Sequence, residues 1–151
     1  MSEDVVVLIA EDDAGHFQLI RKNLWLSCVD KEIVQFSNGQ EVLDFLSGAD
    51  TGKNMDLSTQ YVLLLDIRMP KVDGLEVLRK IKADEKLRRI PVIMLTTTSE
   101  ADMVKQCYDL GCSYYMVKPV DYHRFMSAVQ NLGEFLSLEG IRVPCIRDTG
   151  N

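Results

Sequence analysis

The sequence predicts an α/β domain: a parallel β-sheet with helices packed on both of its faces. Two observations carry this. Five short apolar, β-branched runs alternate with segments whose apolar residues recur every three or four positions, so the chain reads as five βα units in a row. In addition, polar residues of contrasting chemistry follow four of the five apolar runs, and a parallel sheet brings all those ends to one edge.

The elements follow in order. The run VVVLIA (Val5–Ala10) is the first strand, and Phe17, Ile20 and Leu24 mark the helix after it. The run EIVQF (Glu32–Phe36) alternates like a less buried strand and is punctuated by SNGQ. A short helix over EVLDFL ends at Gly48. Tyr61 to Leu65 is the most continuously apolar stretch and belongs at the centre of the sheet. Leu75, Leu78 and Ile81 define a third helix. IPVIMLT (Ile90–Thr96) is the fourth strand, with its proline at the start, where no ladder bond is lost. Met103, Val104, Cys107 and Leu110 trace a fourth helix, stopped by Gly111, and SYYMVK is the fifth strand. Asp121 caps a last helix that presents Tyr122, Phe125, Val129, Leu132 and Leu136 on one face.

With 151 residues the chain suits one domain with a substantial core, over residues 1–138, followed by a tail at 139–151. Residues 48–60 are long for an αβ connection and read as a mobile surface loop. The net charge of −6 disfavours nucleic acid or an anionic membrane surface as a partner. No apolar run reaches the length of a membrane span, and MSED lacks the basic flank of a signal peptide. Cys28, Cys107, Cys112 and Cys145 form no metal-binding spacing and read as free thiols in a reducing, cytoplasmic setting. His16 and His123 read as solvated helix residues, since neither is paired with an acid or a metal spacing.

The segment YVLLLDIRMPKVDG drives a buried strand straight into Asp66. A carboxylate there is costly unless it is paired or coordinated. The first strand ends in Glu11, Asp12 and Asp13, the fourth in Thr96 and Thr97, the fifth in Lys118. Asp13 reads as the cap of the following helix. The remaining carboxylates repel one another unless a cation joins them, and an all-oxygen donor set selects a hard ion such as Mg²⁺. Mg²⁺ keeps waters and binds phosphate oxygens, so the set is suited to receiving a phosphoryl group. Asp66 would act as nucleophile, with Lys118 and the Thr96 hydroxyl contacting phosphate oxygens.

On the acidic EDD at 11–13, LLLDIRMPKVDG, PVIMLTTTS and YYMVKP, the sequence resembles the receiver domains of two-component response regulators, over about Val5 to Leu138. The resemblance implies a flavodoxin-like (βα)5 doubly wound sheet with strand order 2-1-3-4-5; the chemotaxis receiver is a standard example of that order. It makes Asp66 the phosphoacceptor, Glu11, Asp12, Asp66 and the Arg68 carbonyl the Mg²⁺ ligands, and Lys118 the phosphate-binding lysine. It makes Thr96 and Tyr115 the switch pair, which repacks the surface of the fourth helix, fifth strand and fifth helix. It also implies a cis Lys118–Pro119 bond.

By the same resemblance the chain is a stand-alone response regulator, a signalling module rather than a turnover enzyme, though it catalyses its own phosphorylation and dephosphorylation. It takes a phosphoryl group from a sensor histidine kinase and signals through a phosphorylation-dependent surface to a downstream protein. A role as phosphate carrier or sink uses the same site. The long loop, PVIMLTTTS and the IRVP tail are similar to small regulators that serve phytochrome-type kinases and that dimerise through the last helix region. Phe125, Val129, Leu132, Phe135 and Leu136 are shared between such an interface and the domain's own core. A phosphatase of another α/β family would need an aspartate where Arg68 stands, and no nucleotide-binding glycine motif follows the first strand. An inert binding module is disfavoured by the complete polar set.

Overall fold

The computed structural model describes residues 5–27, 32–48 and 59–137. Strands β1 (Val5–Ala10), β2 (Glu32–Phe36), β3 (Gln60–Leu65), β4 (Val92–Thr96) and β5 (Tyr114–Val117) alternate with α1 (Ala14–Ser27), α2 (Gly39–Ser47), α3 (Gly74–Ala83), α4 (Ala101–Leu110) and α5 (Tyr122–Ser137). All pairings are parallel and the strand order is β2-β1-β3-β4-β5, the doubly wound arrangement expected from the sequence.

The apolar runs are continuous because both faces of the sheet are covered, yet each strand still sorts its side chains by alternation. Val5, Val7 and Ile9 of β1, Val62 and Leu64 of β3, and Ile93 and Leu95 of β4 pack with Phe17, Ile20 and Leu24 of α1 and with Phe125, Val129 and Leu132 of α5. The residues between them, Leu8 and Ala10, Tyr61, Leu63 and Leu65, and Val92 and Met94, point to the other face. There they meet Val42, Phe45 and Leu46 of α2, Val77, Leu78 and Ile81 of α3, and Cys107 of α4. Phe125, Val129 and Leu132 are at most 8 % exposed, so the core claims them and they are not free for an interface. The side chains of Phe135 and Leu136 lie outside the described residues.

Local signals set the ends of the helices. Asn38 Oδ1 accepts from the Glu41 amide at 2.9 Å and caps α2. Asp73 Oδ1 accepts from the Glu76 amide at 2.9 Å and caps α3. Asp121 Oδ1 accepts from the amides of His123 and Arg124, as expected of it. The helices α2 and α4 stop at Gly48 and Gly111, whose φ values are 80° and 110°. Two strands are shorter than expected. Pro91 precedes β4, although its carbonyl accepts from the Leu63 amide at 3.0 Å, and Lys118 lies just beyond β5. Of the mobile loop expected over 48–60, Gly48 ends α2 and Gln60 opens β3; residues 49–58 lie outside the described residues, as do the tail at 139–151, Cys28 and Cys145. Cys107 and Cys112 are free and buried. Among the described residues, no helix is long and apolar enough to cross a membrane.

Candidate functional site

The sheet hydrogen bonding runs past the strand ends and sets the site residues side by side. The Glu11 amide donates to the Phe36 carbonyl at 3.0 Å, the Asp66 amide to Ala10 at 3.1 Å, and the Lys118 amide to Thr96 at 2.7 Å. Four side chains from distant parts of the sequence therefore emerge on one edge, anchored to rigid backbone.

Asp66 is 8 % exposed. Its Oδ1 accepts from the Ile67 amide at 2.7 Å, which fixes the carboxylate and leaves Oδ2 toward the pocket. Oxygens of Glu11, Asp12 and Asp66 lie within 4.8 Å of one another. Glu11 is buried and Asp12 exposed, so the cluster opens to solvent on the Asp12 side. Burial pushes the Glu11 carboxyl up to about 7; the Lys118 hydrogen bond opposes this, and the charge of Asp66 adds to it. A carboxylate so disfavoured beside two others has much to gain from a cation, and the donor set is all oxygen, so these residues fit a hard divalent metal.

Lys118 closes the cluster. Its ammonium is bonded to Glu11 Oε1, to Asp66 Oδ2 at 3.1 Å, and to His16 Nδ1 at 3.0 Å. His16, which the sequence reads as a solvated helix residue, has a side chain only 39 % exposed and is part of the site, 4.0 Å from Glu11 Oε2. Asp13 is the cap it was expected to be, its Oδ1 accepting from the His16 amide at 2.9 Å. That contact sets the first turn of α1, which carries the imidazole to the lysine. His123 is exposed, as expected.

Gly74 lets the loop after Asp66 fold back on the strand. A Cβ there would lie 2.0 Å from the Asp66 carbonyl oxygen, and the Gly74 amide donates to the Ile67 carbonyl at 2.7 Å. Arg68, on the same loop, is exposed.

On the far side, Thr96 is fully buried and its Oγ1 lies 3.4 Å from the Thr98 amide. Tyr115 is half-buried; its hydroxyl donates to the Thr98 carbonyl at 2.6 Å, and burial raises its phenol to about 12. Thr98, which the sequence did not single out, thus ties the β4–α4 connection to β5, while its own buried hydroxyl has no partner among the described residues. No cis peptide occurs among the described residues, so Lys118–Pro119 is trans, contrary to expectation. An X–Pro bond prefers trans by only a small margin, so the dipeptide alone does not decide the isomer.

A five-stranded parallel sheet in this order, with three carboxylates and a buried lysine at its C-terminal edge, defines a class of phosphoacceptor signalling domain. The chain belongs to the response regulator receiver domain family, whose model matches residues 7–130. It is 32 % identical to the response regulator Rcp1 of Synechocystis over 139 residues, which is 92 % of each chain. A receiver domain structure from Rhodospirillum rubrum superposes with a TM-score of 0.83 at 36 % identity, covering 91 % of this chain and 97 % of that one. The phosphorylated cyanobacterial phytochrome response regulator RcpA superposes with a TM-score of 0.78 at 32 % identity, covering 89 % and 95 %. The protein is thus a response regulator receiver of two-component signalling. Domains of this family work with histidine kinases.

Proposed function

We propose that Asp66 accepts the phosphoryl group from a phosphohistidine of a sensor kinase, with Mg²⁺ held by Glu11, Asp12, Asp66 and the Arg68 carbonyl. One observation carries this reading: Asp66 directly follows the buried strand β3, with one oxygen fixed by the Ile67 amide and the other facing Lys118 and the acidic pair. A carboxylate oxygen of Asp66 bonds to phosphorus, the P–N bond to the kinase histidine breaks, and the imidazole leaves with that electron pair. When bound, the metal supplies charge neutralisation for the phosphoryl oxygens. Lys118, bonded to Glu11 and Asp66, adds a second cation to the site. Rcp1 has been crystallised with Mn²⁺, which accords with a divalent-ion site in a relative.

Thr96 and Tyr115 form the output switch: the hydroxyl of Thr96 engages the phosphoryl group, and Tyr115 follows through the Thr98 connection. The surface so altered, on α4, β5 and α5, meets a downstream protein. Because RcpA and several similar solved structures are described as phytochrome response regulators, the kinase is of phytochrome type. The chain works in the cytoplasm as a domain over residues 1–138 and forms a homodimer through the C-terminal helix region. Intact mass after incubation with acetyl phosphate tests the chemistry. A single phosphoryl gain that needs both Mg²⁺ and Asp66, and is lost in Asp66→Asn, is the expected result. Sedimentation tests the assembly; a monomer at high concentration, with and without a phosphate mimic, removes the dimer.

A further inference from the structure

We propose that His16 is a positioning residue whose Nδ1 holds the Lys118 ammonium in place throughout phosphoryl transfer. The inference rests on the reading of Lys118 as the phosphate-contacting cation. An ammonium has three N–H donors and no acceptor. Here three acceptors meet them: Glu11 Oε1, Asp66 Oδ2 at 3.1 Å and His16 Nδ1 at 3.0 Å.

The three acceptors differ in what the reaction does to them. Glu11 and Asp66 belong to the carboxylate cluster, so a metal ion competes for their lone pairs. Asp66 is also the group that becomes an acyl phosphate. His16 belongs to neither process, so its bond to Lys118 is the one that survives both. To accept from an ammonium, Nδ1 must be unprotonated, which puts the ring proton on Nε2. A neutral acceptor orients the ammonium without cancelling its charge, which stays available to the incoming phosphoryl oxygens.

The ring is itself fixed from two directions. The His16 amide is bonded to Asp13 Oδ1 at the start of α1, and the imidazole meets Phe125 of α5 edge-on, with centroids 6.1 Å apart and planes at 65°. Lys118 thus joins the ends of β1, β3 and β5 to the first turn of α1.

Two substitutions separate an acceptor role from a packing role. His16→Phe keeps a ring against Phe125 and removes the acceptor; His16→Asn shortens the side chain and restores an acceptor near the Nδ1 position. The first readout needs no metal and no phosphate: hydrogen exchange of the Lys118 ammonium protons, followed by NMR on isotope-labelled lysine. Because the imidazole is partly exposed, water reaches the ammonium once the acceptor is gone. Exchange is expected to accelerate by about tenfold in His16→Phe, the scale of one hydrogen bond to a charged group, and to stay near wild type in His16→Asn. The second readout is the rate of Asp66 labelling by acetyl phosphate at saturating Mg²⁺. His16→Phe slows it by about tenfold, His16→Asn restores it, and His16→Phe has no further effect in a Lys118→Met background. The proposal is overturned if His16→Phe matches wild type, if His16→Asn is as impaired as His16→Phe, or if the effect persists without Lys118. If the wild-type protein gains no phosphate on Asp66, the phosphoacceptor reading fails instead, and the exchange rates still decide whether His16 holds Lys118.

Discussion

The Lys118 ammonium lies 3.1 Å from Oδ2 of Asp66, at the end of two strands separated by β4 in the sheet. The pair is buried, with side-chain exposures of 3 % and 10 %. A charge pair in that setting is costly to break from one side, because the surviving charge keeps its desolvation penalty.

Lys118→Met should therefore leave Glu11 and Asp66 facing each other without a cation. Urea unfolding in metal-free buffer is expected to show a loss of about 3 kcal/mol. Added Mg²⁺ is expected to recover much of it, since binding to the folded state alone stabilises that state. An unchanged unfolding midpoint would mean that the lysine is not the cluster's counter-charge.

The buried carboxyl of Glu11 gives the metal-free protein a specific pH dependence. Its folded value is raised to about 7, first by burial and then by Asp66 against the pull of Lys118. Between the unfolded value and about 7 the folded state binds more protons than the unfolded state, so stability falls as pH rises. The contribution is fully present below the ordinary carboxylate range and is lost as pH passes about 7. Melting temperatures across this window should slope downward more steeply for the wild type than for Glu11→Gln, and Mg²⁺ should flatten the wild-type slope.

Tyr115→Phe removes the hydrogen bond to the Thr98 carbonyl and nothing from the acidic cluster. Stability should drop by about 1 kcal/mol, while the rate of labelling by acetyl phosphate stays close to wild type. Amide exchange in the β4–α4 connection and β5 should respond less to phosphorylation than in the wild type. A large fall in labelling rate would place Tyr115 in the chemistry rather than in the switch.

Gly74→Ala forces a Cβ to within 2.0 Å of the Asp66 carbonyl oxygen, which is backbone and cannot swing aside. The loop must shift and carry the Asp66 end of β3 with it. A loss of about 3 kcal/mol is expected, together with weaker Mg²⁺ binding. A near-neutral effect on both would show that the loop is free to move away.

Much of this was legible in the sequence because it is local. The apolar runs of β1 and β3, the glycines that stop α2 and α4, and Asp13 and Asp121 as caps all act through neighbours a few residues away. The strand-end carboxylates and Lys118 were legible for a different reason: a parallel sheet converts order along the chain into position along one edge. What escaped depends on contacts across the fold. His16 meets Lys118 over 102 positions, and no spacing on α1 announces a ligand. Its only sequence signal was its place three residues after the capping Asp13, in the first turn beside the site. The Thr98 carbonyl as partner of Tyr115 is a backbone group, to which side-chain reasoning is blind. Phe125, Val129 and Leu132 show the same dependence: their periodicity gave an apolar face, and only the packing of α5 against α1 and the sheet assigned it to the core.

The most direct test of the central claim is to locate the phosphoryl group chemically. The protein would be labelled with acetyl phosphate and Mg²⁺, reduced with borohydride to convert an acyl phosphate into an alcohol, and digested for peptide mass mapping. One converted residue, Asp66, is expected, and none when Mg²⁺ is withheld. Conversion at Glu11 or Asp12 with Asp66 intact, or labelling that survives Asp66→Asn, would contradict it.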